Sequence, residues 1–439
     1  MQLFKLKLTT LKSKLYAIVF ASFVVRVMAF FLLPNTPSTL GPDEGTYGRA
    51  ANWAALSNPA NDFPEYGAGL YLSGRSLLLP AAILNKIGLS PLDSVRLTAS
   101  VYGLLTLCLV SVVILHTSSR NTTLAHFAER FPRLMVTLFL VFTFLPSHFI
   151  WSLLGLRESA IEFWTLCAFA SLYWIFHFHK KLSFKSSILL VASIIFAFSS
   201  RPQVGWVIVI AILIFLLTQI RERIALILIP LVLVGLVLGF TGTTGFTGTT
   251  GTTGTTGTTG TTGTIVSRGG ELIGSLTNAA KLTSYKHQAN QLDAASAIVT
   301  QSCPRDGLVY TSRPPSSFDT YFCIAWRAPY MAATFLFRPL IGVDVTSTSS
   351  LLAAIENIAW LGAFVFIVVM LIKKRRLTFF GPLAPSLIFF TIYCVGAGSY
   401  EGNMGTAFRH KSLILWVILL LLATVIVAEK RPKSRNESA

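Results

Sequence analysis

Apolar runs recur along the chain at 15–33, 95–116, 134–151, 159–177, 187–200, 203–219, 224–240, 351–372, 378–396 and 411–428. Most come close to the roughly 20 residues that a helix needs to cross a hydrocarbon core. The pattern predicts an all-α, polytopic transmembrane helix bundle of about ten spans. The runs 187–200 and 203–219 are short and parted only by Ser200-Arg201-Pro202, so they read as one kinked, hairpin-like element or as two spans. Residues 76–89 are apolar but short, and read as an interfacial or re-entrant helix lying beside the membrane.

The polar segments between the runs carry the topology. Lys5, Lys7, Lys12 and Lys14 lead straight into the first span, which reads as an uncleaved helix with a cytoplasmic tail. With that tail inside, alternation places Arg120, Arg130, Arg133, the stretch 177–185, Arg221, Arg223 and Lys373–Arg376 inside as well. The tail with Lys430, Arg431, Lys433 and Arg435 follows them, so both termini are expected in the cytoplasm. The outer side then receives residues 34–94, Arg157-Glu158, Arg201, the long segment 241–350, and 397–410.

Composition agrees with this pattern. The chain is 53% hydrophobic and only 12% charged, against about a quarter charged in soluble proteins. The net charge of +18 sits in short loops, which is the distribution of a membrane protein facing lipid headgroups rather than of a nucleic-acid binder. Residues 1–240 form an N-terminal transmembrane module whose first outer loop is 34–94. Residues 241–264 are a Gly/Thr repeat with no hydrophobic period, a flexible linker. Residues 265–350 are expected to form a small outer subdomain, and 351–439 a C-terminal transmembrane module with a basic tail. Cys303 and Cys323 both fall in the outer segment and suggest a disulfide there, whereas Cys108, Cys167 and Cys394 fall in spans.

Candidate chemistry collects on the outer side. Asp43 and Glu44 follow Gly41-Pro42 at the mouth of the first span. Adjacent residues on a helix point about 100° apart, so one carboxylate can face a substrate while the other holds an arginine, an amide or a metal. A carboxylate here can act as a general base for a hydroxyl, or it can simply cap a helix. Arg157-Glu158 reads either as a phosphate-binding arginine with its orienting carboxylate or as a residue reaching for headgroups. Arg26 and Arg201 lie within or between spans, where a charge is costly without a partner. Phe337-Arg338-Pro339 with Glu356-Asn357, and the loop from Tyr400 to Arg409-His410, complete the set. Arg49, Arg157, Arg201, Arg338 and Arg409 can together line an anionic headgroup site. His148 reads as an interfacial packing residue. No P-loop, Cys-x-x-Cys or His-Glu-x-x-His is present, which removes support for ATP-driven transport and zinc hydrolysis.

Arg26, the pair Asp43-Glu44, the Arg49 helix and the stretch from Gly74 to Arg96 resemble the GT-C superfamily of membrane glycosyltransferases, such as the protein mannosyltransferase and aminoarabinose transferase groups. The resemblance covers about the first 120 residues and is loose beyond them. It implies an enzyme of the bacterial plasma membrane that takes a sugar from a polyprenyl-phosphate donor and passes it to a glycan, lipid or protein acceptor. It further implies Asp43 as the general base of an inverting displacement, with Glu44 orienting the acceptor or a divalent metal and arginines neutralising the leaving phosphate. A polysaccharide polymerase or O-antigen-ligase-like enzyme would shift the weight to Arg338, Arg409 and His410. A flippase or transporter of lipid-linked sugars would instead need paired charges near the midplane and internal repeats.

Overall fold

The computed structural model describes residues 2–38, 43–56, 74–118, 132–177, 184–218, 329–330, 332–345, 348–374, 383–400 and 404–429. Every regular element among them is helical. They are α1 (Gln2–Leu32), α2 (Asp43–Ala55), α3 (Arg75–Lys86), α4 (Pro91–Ser118), α5 (Pro132–Phe144), α6 (Pro146–Leu153), α7 (Glu158–His177), α8 (Phe184–Ser200), α9 (Pro202–Thr218), α10 (Thr348–Lys374), α11 (Ala384–Tyr400) and α12 (Met404–Glu429). The chain divides into two compact units, 1–246 with 358–390 and 412–439, and 247–357 with 391–411.

Five helices are long and apolar enough to cross a membrane, and six if α5 and α6 are one broken span. The protein is therefore a helical membrane protein. Three further apolar helices, within α8, α9 and α11, are shorter, and the expected span 224–240 lies outside the described residues. So do the repeat 241–264, most of the expected outer subdomain, and the pair Cys303 and Cys323. The three cysteines in the helices, Cys108, Cys167 and Cys394, are free thiols.

Local chemistry explains the helix breaks. Leu145 is extended and Pro146 opens α6, because the proline ring disfavours helical backbone in the residue before it. The two helices meet at a bend of 43°. The same device at Arg201-Pro202 makes 187–219 two helices: Pro202 starts α9, and the amides of Val204 and Gly205 turn back to the Arg201 carbonyl. Ser90 caps α4 reciprocally, donating its hydroxyl to the Asp93 carboxylate (2.6 Å) and accepting the Asp93 amide (3.1 Å).

In the first unit α4 packs against α1, α2, α3, α6 and α7. Tyr102 on α4 lies against Phe163 and Trp164 of α7, and its hydroxyl donates to the Ser76 carbonyl of α3 at 2.8 Å. Ser76 in turn shares a hydroxyl–hydroxyl hydrogen bond with Ser200 at the end of α8. The exposed faces of α1, including Phe20, Phe23, Met28 and Phe31, are the surfaces that lipid would cover.

Gly103 is a point of close approach between α4 and its neighbours. A Cβ there would stand 2.6 Å from the Ser152 Cβ, 2.9 Å from its Oγ and 3.3 Å from an Arg26 nitrogen. At Gly362 on α10 a Cβ would meet nothing. Gly103→Ala is therefore expected to lose about 1–3 kcal/mol of stability through overpacking, while Gly362→Ala is neutral or gains several tenths of a kcal/mol to about 1 kcal/mol from helix propensity. Thermal unfolding of the two variants in the same lipid or detergent measures the contrast.

Candidate functional site

The segment between α1 and α2 is held by one arginine. Arg96 on α4 donates from Nε to Glu44 Oε2 at 3.1 Å and from a terminal nitrogen to Glu44 Oε1 at 2.8 Å. It also donates to the carbonyls of Pro34 (2.7 Å) and Thr36 (3.0 Å), while the Ser38 amide donates to Glu44. Glu44 and Arg96 are fully removed from solvent. A fork-to-fork pair of this kind fixes orientation as well as charge. Glu44 is thus tied into the fold, whereas Asp43, the residue before it, is exposed at the first turn of α2.

Asp43 shares a face of α2 with Tyr47, one turn or about 6 Å further along the axis. The Arg157 guanidinium lies over the Tyr47 ring, 6.0 Å from its centroid. Glu158 follows as the first residue of α7 and is buried. Arg201 is half-buried and adjoins Ser200, whose hydroxyl meets α3. Asp43, Tyr47, Arg157 and Arg201 therefore belong to the end of the first unit where α2 and the start of α3 lie. Arg49 is exposed and projects about 120° around α2 from Asp43, with a hydrogen bond to Thr46 Oγ1 at 3.2 Å.

Deeper in the same unit lie three more charged or titratable groups, Arg26, His148 and Glu162. Arg26 is buried and donates to the hydroxyls of Ser22 and Ser152, the latter at 2.9 Å, with its guanidinium over the Phe149 ring at 4.8 Å. His148 is buried and pairs through Nδ1 with Glu162 Oε2 at 2.9 Å. Glu162 was legible only as a carboxylate four residues after Glu158, inside an apolar run, a position where ionisable groups are rare.

The second unit contains the other sequence candidates. Arg338 forks onto Asp344, with Nε 3.0 Å from Oδ2 and a terminal nitrogen on Oδ1, and the Leu340 amide donates to Oδ2 at 2.8 Å. The Arg338 guanidinium and these bonds hold the Asp344 carboxyl below its ordinary range, and Asp344 raises Arg338 in return. Lys411, a single charge near the start of an apolar run, is fully buried. Its ammonium donates to Asn357 Oδ1 at 3.0 Å and to the Arg338 carbonyl, while the Asn357 amide donates to the Pro339 carbonyl at 3.1 Å. His410 is buried and Arg409 half-buried beside it.

Among the described residues no three His, Cys, Asp or Glu side chains are grouped to hold a metal ion. No family model, curated protein or solved structure matches the chain.

Two outcomes follow from the paired charges. Glu44→Ala or Arg96→Ala leaves one buried charge alone and is expected to cost about 3–5 kcal/mol, read as a lowered unfolding temperature and a lower yield of monodisperse protein. In the second unit, a depressed Asp344 carboxyl adds stability that is fully present above its unfolded pKa. That contribution is lost as pH falls below about 4. Asp344→Asn should be less stable than wild type at neutral pH, and the difference should shrink in acid; unfolding curves across pH 3–7 check the sign.

Proposed function

We propose that the protein is an integral-membrane glycosyltransferase that moves a sugar from a polyprenyl-phosphate donor to a hydroxyl-bearing acceptor, with Asp43 as general base. The observation that carries this reading is the division of labour within the acidic pair. Glu44 is locked to Arg96, and the same lock presents Asp43 to solvent on the α2 face that carries Tyr47, with Arg157 beside Tyr47. An accessible carboxylate on a rigid helix, with a guanidinium on the adjoining surface, suits a reaction that takes a proton at one point and develops phosphate charge at another.

The acceptor oxygen attacks the anomeric carbon, the bond from that carbon to the phosphate oxygen breaks, and the acceptor proton passes to Asp43. Polyprenyl phosphate leaves with its electron pair, and inversion follows from the single displacement. Arg157 and Arg201 are the arginines of the first unit assigned to the leaving phosphate; Arg338, Arg409 and His410 belong to the alternative polymerase reading, whose site would lie in the second unit. Glu44 acts as a positioning residue through Arg96. In this reading α8, α9, α11 and residues 224–240 are also spans, which makes about ten. Both termini then face the cytoplasm and the Asp43 loop faces outward.

Asp43→Asn is expected to lower transfer of labelled sugar from polyprenyl phosphate in membranes by about 10²–10⁴-fold, in protein that is still recovered folded. Full transfer by this variant would overturn the assignment. Loss of product length with Arg409→Ala alone would move the site to the second unit, as a polymerase requires, and movement of lipid-linked sugar across vesicles without any transfer product would indicate transport.

A further inference from the structure

The cluster of Arg26, His148 and Glu162 is not used by the proposed transfer, and it is an expensive thing to keep inside a lipid-spanning bundle. Its geometry is that of a prepared proton acceptor. His148 and Glu162 are 2.9 Å apart and each is at most 3% exposed. His148 Nε2 and Glu162 Oε1 are buried and have no hydrogen-bond partner among the described residues. The pair therefore has a proton-carrying contact and a spare basic atom at either end. Phe142 stacks on the imidazole at 4.6 Å and fixes its plane.

One cation stands near the pair. Arg26 on α1 is close enough to Glu162 to interact electrostatically with it, yet its own hydrogen bonds go to serine hydroxyls. It offsets the negative charge of the pair without sealing the carboxylate in a salt bridge. Glu158 lies four residues earlier on the same face of α7, at the helix start. On α4 the titratable groups are Asp93 in the cap, Arg96 bound to Glu44, Tyr102 bonded to Ser76, the free thiol of Cys108, and His116 near the helix end. Of the other groups on helices packed against α5, α6 and α7, α1 adds Lys12, Lys14 and Tyr16 in its first half, α8 brings Lys185 in its opposite, first turn, α9 brings none, and α11 and α12 meet α7 through the apolar rings of Phe389 and Trp416.

We propose that His148 and Glu162 form a proton-binding site inside the bundle, whose ligand is a single proton exchanged with water. Unloaded, the pair is a neutral imidazole donating Nδ1–H to a carboxylate, with Arg26 as counter-charge. Loading adds one proton from water and no other reactant. The added proton sits on the spare Glu162 Oε1, leaves the Nδ1–H to Oε2 contact intact and removes the pair's negative charge. The site is independent of sugar transfer, so its test stands whether or not the transferase reading holds.

The test uses the full chain in lipid nanodiscs and a hydrophobic carbodiimide, dicyclohexylcarbodiimide. This reagent adds to a protonated buried carboxyl and rearranges to a stable N-acylurea, read by peptide mass spectrometry. Glu162 should be labelled, and labelling should fall at least about tenfold from the acid to the alkaline end of the range in which the fold persists, as one titrating proton requires. Glu44, forked by Arg96, should stay unlabelled. His148→Gln should displace the pH profile of Glu162 labelling, with His148→Asn as the substitute where the first variant is not recovered folded. No Glu162 label at any pH, a label that does not depend on pH, or a profile identical in the folded His148 variants overturns the proposal. The first two outcomes are read on the wild-type protein alone.

Discussion

The ion pair between Glu44 and Arg96 determines how the polypeptide leaves its first membrane helix. A guanidinium and a carboxylate taken out of water each carry a desolvation cost of several kcal/mol, and only close, multiply bonded geometry offsets it. Here the arginine fork is spent on the two Glu44 oxygens and on two backbone carbonyls, Pro34 and Thr36, whose own helix has just ended. One side chain thereby satisfies the orphan acceptors after α1, the buried acid of α2, and its own charge. Because Arg96 sits on α4, which packs against five other helices of the first unit, the position of α2 is referred to the centre of that unit rather than to a loop.

The same arrangement shows why Asp43 and Glu44 differ so much in environment while adjacent in sequence. Successive residues on a helix diverge by about 100°, so a helix laid on a bundle must turn one of two neighbouring acids inward and the other outward. Gly48, one turn after Glu44, lets α2 settle on the start of α4, where a Cβ would be 3.3 Å from the Pro91 carbonyl. Gly103 and Gly155 do the equivalent for the contacts of α4 with α6 and the segment after it. Small residues at close approach and a buried fork are two parts of one solution: a membrane bundle lacks a hydrophobic drive between its helices and is held by tight packing and polar bonds.

How much of this was legible in the sequence follows from the range of each signal. The long spans α1, α4, α7, α10 and α12 announce themselves because hydropathy is a local sum over about 20 residues. The break between α5 and α6 was hidden in one continuous apolar run, although Pro146 carried its cause. The acidic pair was visible as chemistry but not as geometry, since Arg96 lies 52 residues from Glu44 in the chain. Arg338 looked like a phosphate ligand on its own, and its carboxylate partner Asp344 stood only six residues on. Lys411 and Glu162 were overlooked because single charges inside apolar runs do not disturb a hydropathy sum. Their meaning depends on partners, Asn357 and His148, that only the fold supplies.

The charges of this chain thus sort by what satisfies them. Glu44, Arg96 and Lys411 are consumed by backbone and side-chain partners, and removing any of them damages the fold before it touches chemistry. Asp43 and Arg49 face solvent on α2. His148 and Glu162 form a third kind, paired with each other but with one polar atom each left over in a buried place. A group satisfied on every side is structural, whereas an exposed carboxylate on a rigid helix, such as Asp43, stays open to what reaches it. The ones held in place with capacity to spare are where a membrane bundle keeps chemistry it can use, because rigid positioning and an open bonding site are what binding or catalysis requires.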